Sequence, residues 1–113
     1  KAKFKRSDLK LCDMSDMNLK EADFTEASLK EAYLDKANCE GANFHNGKML
    51  CTRLRGTNLK NANLCWAKMQ GAIIDEKTNL TGAKYNDGTR FPNGFDPKQH
   101  NMVYIPTKMA PGY

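Results

Sequence analysis

The strongest constraint on the fold is an apolar residue at every fifth position from residue 4 to residue 74. Fifteen successive positions obey the rule: Phe4, Leu9, Met14, Leu19, Phe24, Leu29, Leu34, Cys39, Phe44, Met49, Leu54, Leu59, Leu64, Met69 and Ile74. Such a period indicates an internal repeat, which has to be interpreted before any local motif.

A second register accompanies the first, because a small residue stands two positions before almost every apolar centre. Ala22, Ala42 and Ala62 are examples, and Met17 is the large exception. An α-helix turns by about 100° per residue, so a period of five would carry the centres around the whole helix. A flat strand would place successive centres on alternate faces. The repeat therefore excludes both simple structures.

Both registers are satisfied by a chain that turns a corner in every five-residue unit and points the centre and the small residue inward. Four units then form a square coil of about twenty residues, and the coils stack at the strand spacing of about 4.8 Å. The sequence thus predicts an all-β solenoid of about four coils whose axis is filled by side chains.

A motif of Ala, then Asp or Asn, then Leu or Phe recurs within the repeat. It stands at Ala22-Asp23-Phe24, Ala42-Asn43-Phe44 and Ala62-Asn63-Leu64. Over residues 2–85 the chain resembles the pentapeptide-repeat family. The resemblance implies a right-handed quadrilateral β-helix.

Residues twenty apart should stack on one face of neighbouring coils, and two columns stand out. Phe4, Phe24 and Phe44 predict an aromatic ladder with offset ring stacking, which Leu64 continues. The fourth face predicts an asparagine column with a structural role, formed by Asn18, Asn38, Asn58 and Asn79. Asn79 joins it only if one residue is inserted near Lys77, which we interpret as a corner bulge.

The four cysteines are assigned by the repeat. Cys12 and Cys39 take inward positions on different faces, whereas Cys51 and Cys65 are predicted outward and do not stack on each other. No pair fits a disulfide, and no histidine stands at metal-ligand spacing. We expect four free thiols, with no metal and no cofactor, and the sequence leaves the redox state of Cys51 and Cys65 open.

The chain changes character after Tyr85, since all four prolines lie beyond it. We predict a solenoid over residues 1–85 and a C-terminal cap and tail over residues 86–113, with Phe91 and Phe95 covering the last coil. The run from Tyr85 to Pro97 (YNDGTRFPNGFDP) resembles the C-terminal segment of cyanobacterial and chloroplast members of the family. That resemblance implies a thylakoid location, often the lumen.

Both ends carry features with two readings. Lys1, Lys3, Lys5 and Arg6 protect the first coil's edge, or they mark where an upstream coil or a partner attaches. In the tail, the apolar residues Met102, Tyr104 and Ile105 lie extended along the solenoid flank or contact a partner.

The candidate functional region is a band without acidic residues between Glu40 and Asp75. Its outward positions combine cations with apolar residues, and Tyr33 stands in the column of Arg53 and Ile73. The predicted protein-binding set is Trp66, Arg53, Arg55, Lys48, Lys68, Leu50, Ile73 and Tyr33. Exposed Trp beside Arg is typical of an interface centre. The alternative is that Trp66 lies against a corner or beneath the C-terminal tail.

Three function classes can be compared. No catalytic motif is present, and an axis filled by side chains offers no cleft, so we predict no enzyme and no catalytic residue. The net charge of +5 permits weak nucleic-acid binding, but aromatic residues do not interleave with the lysines. Some family members bind DNA gyrase through an acidic column that imitates DNA, and this basic chain lacks that column.

We therefore expect a non-catalytic protein-binding or scaffold module. The resemblance of the cap favours an accessory or assembly subunit docked on a photosynthetic thylakoid membrane complex. Its partners would be proteins, without specific nucleic acid and without a membrane span, although peripheral membrane contact is open. A weak nucleic-acid binder and a free lumenal protein are the alternatives.

Overall fold

Parallel β-bridges between residues twenty apart build the fold. In the computed structural model, which describes residues 1–107, Asp23 pairs with Lys3 on one side and with Asn43 on the other. The Phe24 amide donates to the Asn43 carbonyl at 2.7 Å, and the Asn43 amide donates to the Ala22 carbonyl at 2.9 Å. The same pattern repeats on all four sides. The predicted right-handed quadrilateral β-helix is confirmed.

The four faces are named here by their inward centres. Face one carries Phe4, Phe24, Phe44 and Leu64; face two Leu9, Leu29, Met49 and Met69; face three Met14, Leu34, Leu54 and Ile74; face four Leu19, Cys39, Leu59 and Leu80. The centres are buried from coil two onward, apart from the half-buried Ile74, and the alanines between them are buried as well. The rings of Phe4, Phe24 and Phe44 stack at centroid distances of 5.1 and 4.9 Å, as predicted.

Each corner is a tight turn whose geometry explains the sequence motif. The amide three residues after a centre donates to the carbonyl of the centre, as from Ala27 to Phe24 at 2.9 Å. The second residue of the turn has a positive φ, 58° at Glu26, which is the pattern of a type II turn. The Asp or Asn before the centre accepts the amide of the first turn residue, as Asn43 does from His45 at 2.9 Å. The motif therefore encodes the corner.

Two units contain an extra residue. Asn79 pairs with Asn58 across a step of 21, so the predicted insertion near Lys77 is confirmed. A second insertion precedes Arg90, which pairs with Lys68 across a step of 22. The same turn accommodates both, because the amides of Asp75 and Asn86 each donate at 3.1 Å to the hydroxyl of the threonine three residues on.

Regular elements occur only near the C-terminal end of the described residues. Strand β1 spans Lys84–Tyr85, a 3₁₀ helix spans Pro97–His100, and strand β2 spans Val103–Tyr104. Strand β2 pairs in parallel with β1, which places it over the end of face one. The domain boundary after Tyr85 stays a prediction, and β-bridges continue beyond it to Arg90. The tail from residue 108 to residue 113 lies outside the described residues.

Rings close the C-terminal end of the stack. Tyr85 and Phe91 meet edge to face at 5.6 Å, Phe91 stacks on Phe95 at 4.8 Å, and Phe95 stacks on His100 at 4.4 Å. Phe91 and Phe95 are half-buried and pack on the core cluster. This segment covers the last apolar layer.

The prediction that Cys65 faces outward into solvent is wrong. Its side chain is fully buried, and burial raises the pKa of the thiol to about 11. Asn63 pairs with Lys84 across a step of 21, so Cys65 stands in a face-one column between His45 and the buried Asn86, which accounts for the lost exposure. All four cysteines are free thiols, and Cys51 is exposed.

Candidate interaction surface

Outward side chains that form the corner hydrogen bond have a structural role, whereas those that do not form it are available for binding. In coils two to four, the residue before each centre is Asp or Asn everywhere on faces one and four. It is another residue at six positions, all on faces two and three: Ser28, Lys48, Lys68, Tyr33, Arg53 and Ile73. These six side chains do not form the corner bond, so they are the outward positions with the most freedom to serve binding.

A groove on face three gathers the apolar members of this set. Tyr33, Arg53 and Ile73 form one bridged column, as the twenty-residue step predicts. With neighbours from the adjoining corner they line a groove of about 360 Å³, which we call the Tyr33 groove and which comprises Leu11, Glu31, Tyr33, Cys51, Arg53, Gly71 and Ile73.

Arg53 and Tyr33 are fixed relative to one another within the groove. The Arg53 guanidinium lies 4.8 Å from the centroid of the Tyr33 ring, which is a cation-π contact. Tyr33 is 36% exposed and Ile73 is 38% exposed. The groove thus presents a positioned cation between two apolar side chains.

Arg55 lies on the same face and differs from Arg53 in its contacts. Its backbone amide and its guanidinium both reach Asp35, at 2.9 and 3.4 Å. This pair holds one coil to the next. The predicted binding role of Arg55 stays a prediction, and the contact with Asp35 gives this residue a structural role as well.

Face two carries a column of three cations. Lys48 pairs with Lys68 through the backbone, as predicted, and Arg90 extends the column. Among residues 1–107 the ion pairs involve Lys1, Arg6, Lys10 and Arg55, so these three cations have no carboxylate partner there. The backbones of neighbouring coils lie about 4.8 Å apart. Two like charges at that distance repel each other by roughly 1 kcal/mol in water. The column is therefore suited to an anionic partner.

Trp66 lies apart from the Tyr33 groove. It occupies the corner between faces one and two, where its amide donates to the Asn86 side chain at 3.1 Å. A methyl group built on Gly88 would overlap with its ring, so the indole packs directly on this turn. The ring is nevertheless 39% exposed. Leu50 is half-buried on face two, so the predicted set spans two adjoining faces.

The three predicted tail residues contact the end of the stack. Met102 packs against the core cluster, the Tyr104 hydroxyl donates to the Asp87 carboxylate at 2.7 Å, and the Ile105 amide donates to the Tyr85 carbonyl at 2.8 Å. Strand β2 pairs with β1 at the end of face one, so Val103–Tyr104 lies on the end of the stack and not along its flank.

Sequence reasoning missed two residues of these surfaces. Leu11 lines the Tyr33 groove and is 66% exposed, with a φ of 65° that bulky residues seldom adopt. An apolar residue at a turn position was the available signal. Arg90 was missed because two insertions move it from the expected position 88, which the turn motif from Asn86 to Thr89 could have revealed.

The part of the chain that the structure describes also bears on other site types. No group of three or more His, Cys, Asp or Glu side chains within residues 1–107 is arranged to hold a metal ion. No helix in the same range is long and apolar enough to cross a membrane.

Comparison with known proteins gives the family. The sequence model of Pentapeptide repeats matches in 8 copies, over residues 2–38, 12–49 and 37–75. The solved structure of Rfr23, a pentapeptide repeat protein from the cyanobacterium Cyanothece 51142, has a TM-score of 0.72 and 33% identity, covering 75% of this chain and 57% of that one. No curated protein matches the chain.

Two further cyanobacterial structures share the fold. A pentapeptide repeat protein from Nostoc PCC 7120 has a TM-score of 0.87 at 24% identity, covering 91% of this chain and 84% of its own. HetL of the same strain, involved in heterocyst differentiation regulation, has a TM-score of 0.58 at 24% identity, covering 91% of this chain and 44% of its own. Because the family model spans residues 2–75, the chain belongs to the pentapeptide-repeat family.

Proposed function

We propose that this chain is a non-catalytic protein-binding module whose partner docks on the Tyr33 groove. The observation that carries the proposal is the replacement of the corner Asp or Asn by Tyr33, Arg53 and Ile73 in one column. These residues give up a corner hydrogen bond in three successive coils, and exposed aromatic and Arg side chains are the types that dominate binding energy at interfaces.

The partner is a protein with an acidic or polar segment flanked by apolar residues. Arg53 supplies the positive charge, and the Tyr33 and Ile73 side chains supply apolar area on either side. The absence of a carboxylate at the groove apart from Glu31 favours this pairing. A regular grid of side chains on a rigid solenoid suits docking with little conformational change.

The proposed setting is a photosynthetic thylakoid membrane complex, which the chain would serve as an accessory or assembly subunit, on the lumenal side. The resemblance of residues 85–97 to cyanobacterial and chloroplast relatives supports this setting, as does the cyanobacterial origin of Rfr23.

Capture from solubilised membranes tests the proposal. Tagged protein is mixed with detergent-solubilised cyanobacterial thylakoids, and the retained proteins are identified by mass spectrometry. We expect subunits of one membrane complex to be retained. The double variant Tyr33→Ala and Arg53→Ala should bind about 30-fold more weakly, because hot-spot truncations cost about 2 kcal/mol or more.

The matched control removes exposed side chains from the opposite face. Lys3→Ala with Lys5→Ala leaves the Tyr33 groove intact, so retention should equal that of the unaltered protein. Equal retention by the Tyr33 and Arg53 double variant, or no retained complex at all, would contradict the proposed function.

A further inference from the structure

Face two is strongly basic. Two columns point outward there, and between them they carry five cations: Lys10, Lys30, Lys48, Lys68 and Arg90. The face has one acidic residue, Asp8, and its carboxylate is already 3.7 Å from the Lys10 ammonium. Subtracting one acid from five cations leaves +4, compared with +5 for the whole chain.

Three carboxylates border face two, and of these only Glu26 is in an ion pair within the described residues. Glu26 accepts from Arg6 at 3.1 Å, and Asp87 accepts from the Tyr104 hydroxyl at 2.7 Å. Glu31 stands on the opposite corner, beside the Tyr33 groove. Lys48, Lys68 and Arg90 are exposed and stand in one column without an ion-pair partner among residues 1–107.

Exposed apolar side chains occupy both edges of the face. Trp66 marks the corner toward face one at 39% exposure, and Leu11 marks the corner toward face three at 66% exposure. Both have left-handed backbone, with φ values of 64° and 65°. Bulky residues are costly in that conformation, where Asn46 and Gly71 stand in the same two columns. Trp66 and Leu11 thus stand at positions whose left-handed backbone conformation costs less free energy with Asn or Gly.

We propose that face two binds the surface of an anionic phospholipid bilayer. Its cations would contact the headgroups, and Trp66 and Leu11 would reach the headgroup level at the two edges. Lys, Arg and Trp are the residues that favour this interface, and a flat face with cations in two columns matches a planar anionic surface.

A bilayer fits the face better than a nucleic acid does. Binding to single strands uses aromatic side chains between the cations, and the outward columns of face two hold only Asp8, Ser28, Leu50 and Gln70 besides the cations. The apolar residues stand at the edges instead. The inference goes beyond the proposed function, because it needs no protein partner.

Vesicle sedimentation tests the inference with the full chain and lipids alone. Phosphatidylcholine vesicles containing phosphatidylglycerol are compared with vesicles of phosphatidylcholine only. We expect binding to the anionic vesicles and none to the neutral ones. The double variant Lys48→Gln and Lys68→Gln should lower the partition constant about 25-fold, or about fivefold for each charge removed.

The matched control makes the same change on the opposite face. Lys20→Gln with Lys60→Gln on face four removes an equal charge from exposed positions. The shortest dimension of the molecule is 21 Å, which exceeds the Debye length of roughly 8 Å in physiological salt. We therefore expect this control to change the partition constant by less than about twofold.

Trp66 supplies an independent readout, because it is the only tryptophan in the chain. Its fluorescence should shift to shorter wavelength when anionic vesicles are added, and it should stay unchanged with neutral vesicles or with soluble polyglutamate. Circular dichroism confirms that each variant is folded.

Three results would overturn the inference: no binding to anionic vesicles, equal losses in the two double variants, or polyglutamate or duplex DNA binding through face two with no vesicle binding. The last result would assign the face to an acidic protein or a nucleic acid. Since these measurements contain no membrane protein, their failure leaves the proposed docking on the Tyr33 groove standing.

Discussion

The buried threonine hydroxyls of the narrow core all find a backbone acceptor. Threonine replaces alanine in the small inward position at Thr52, Thr57, Thr78 and Thr89, all of them buried. Each hydroxyl donates to the carbonyl of a leucine in the preceding coil, at 2.6 to 2.8 Å. A buried hydroxyl without such a partner would cost about 1 to 3 kcal/mol. The slot therefore tolerates Thr because the coil below always offers a carbonyl.

Thiol reactivity should separate the four cysteines. Cys39 and Cys65 are fully buried, and burial raises their pKa values to about 12 and about 11. Since the thiolate is the nucleophile, iodoacetamide at mildly alkaline pH should modify exposed Cys51 first and leave these two unmodified until the protein unfolds. Mass spectrometry of timed samples measures the order, and Cys51→Ser should abolish the fastest step. Modification of Cys65 at the rate of Cys51 in folded protein would contradict the structure.

Wherever the five-residue period holds, the sequence alone predicts the face and the column in which a residue lies. It placed Tyr33, Arg53 and Ile73 in one column and stacked Lys48 on Lys68, because each position follows from counting in fives. It misplaced Cys65, whose burial depends on the size of its neighbours in the column rather than on the register. Contacts between side chains, such as that of Trp66 with the turn at Gly88, do not follow from a period.

At the scale of the element, the repeating unit is a corner closed by an Asp or Asn side chain. The side-chain oxygen accepts the backbone amide two residues on, at 2.9 to 3.0 Å, in each of these corners. Asp13 and Asp23 use a carboxylate oxygen, and Asn43 and Asn63 use an amide oxygen. The six-residue units reuse this bond, because the Asp75 side chain accepts from the amides of Gly56 and Lys77. The fold thus admits an insertion without losing its ladder.

Acid should weaken the corners that use a carboxylate. Hydrogen bonds from the side chain and backbone of Thr25 lower the pKa of Asp23 below its ordinary value of 3.8. The stabilisation is present above the unfolded pKa, and it is lost as pH falls through the lower folded pKa. Asp23→Asn keeps the corner bond, so its melting temperature should fall less steeply below pH 4 than that of the unaltered protein. Thermal unfolding across this range measures the difference.

The control for this substitution is the behaviour at neutral pH. There Asn and Asp accept the same amide, so Asp23→Asn should lie within about 1 kcal/mol of the unaltered protein. Equal acid sensitivity of the two proteins would show that Asp23 does not contribute through its charge.

At the scale of the whole molecule, each coil contacts only its neighbours, so stability is shared along the stack and the ends need protection. The C-terminal end is protected by residues 86–104, which form one further, irregular circuit of the chain over the last regular coil. The Thr89 hydroxyl donates to the Leu64 carbonyl, Arg90 pairs with Lys68, and β2 returns over β1. This circuit has no five-residue period, which is why the sequence pointed to a cap without showing that its strand continues the ladder.

Truncation tests how far the solenoid depends on this circuit. Ending the chain after residue 85, at the predicted domain boundary, would remove Thr89 and Phe91 and expose the layer beneath them. We expect a loss of roughly 3 kcal/mol or more, because one buried phenylalanine alone contributes about 1.5 to 3 kcal/mol, and we expect self-association through the open edge. Thermal unfolding and size-exclusion chromatography with light scattering measure both effects. Ending the chain after residue 96 keeps Thr89, Phe91 and Phe95 and should have a smaller effect. A monomeric 1–85 fragment with unchanged stability would instead make residue 85 the end of the folding unit.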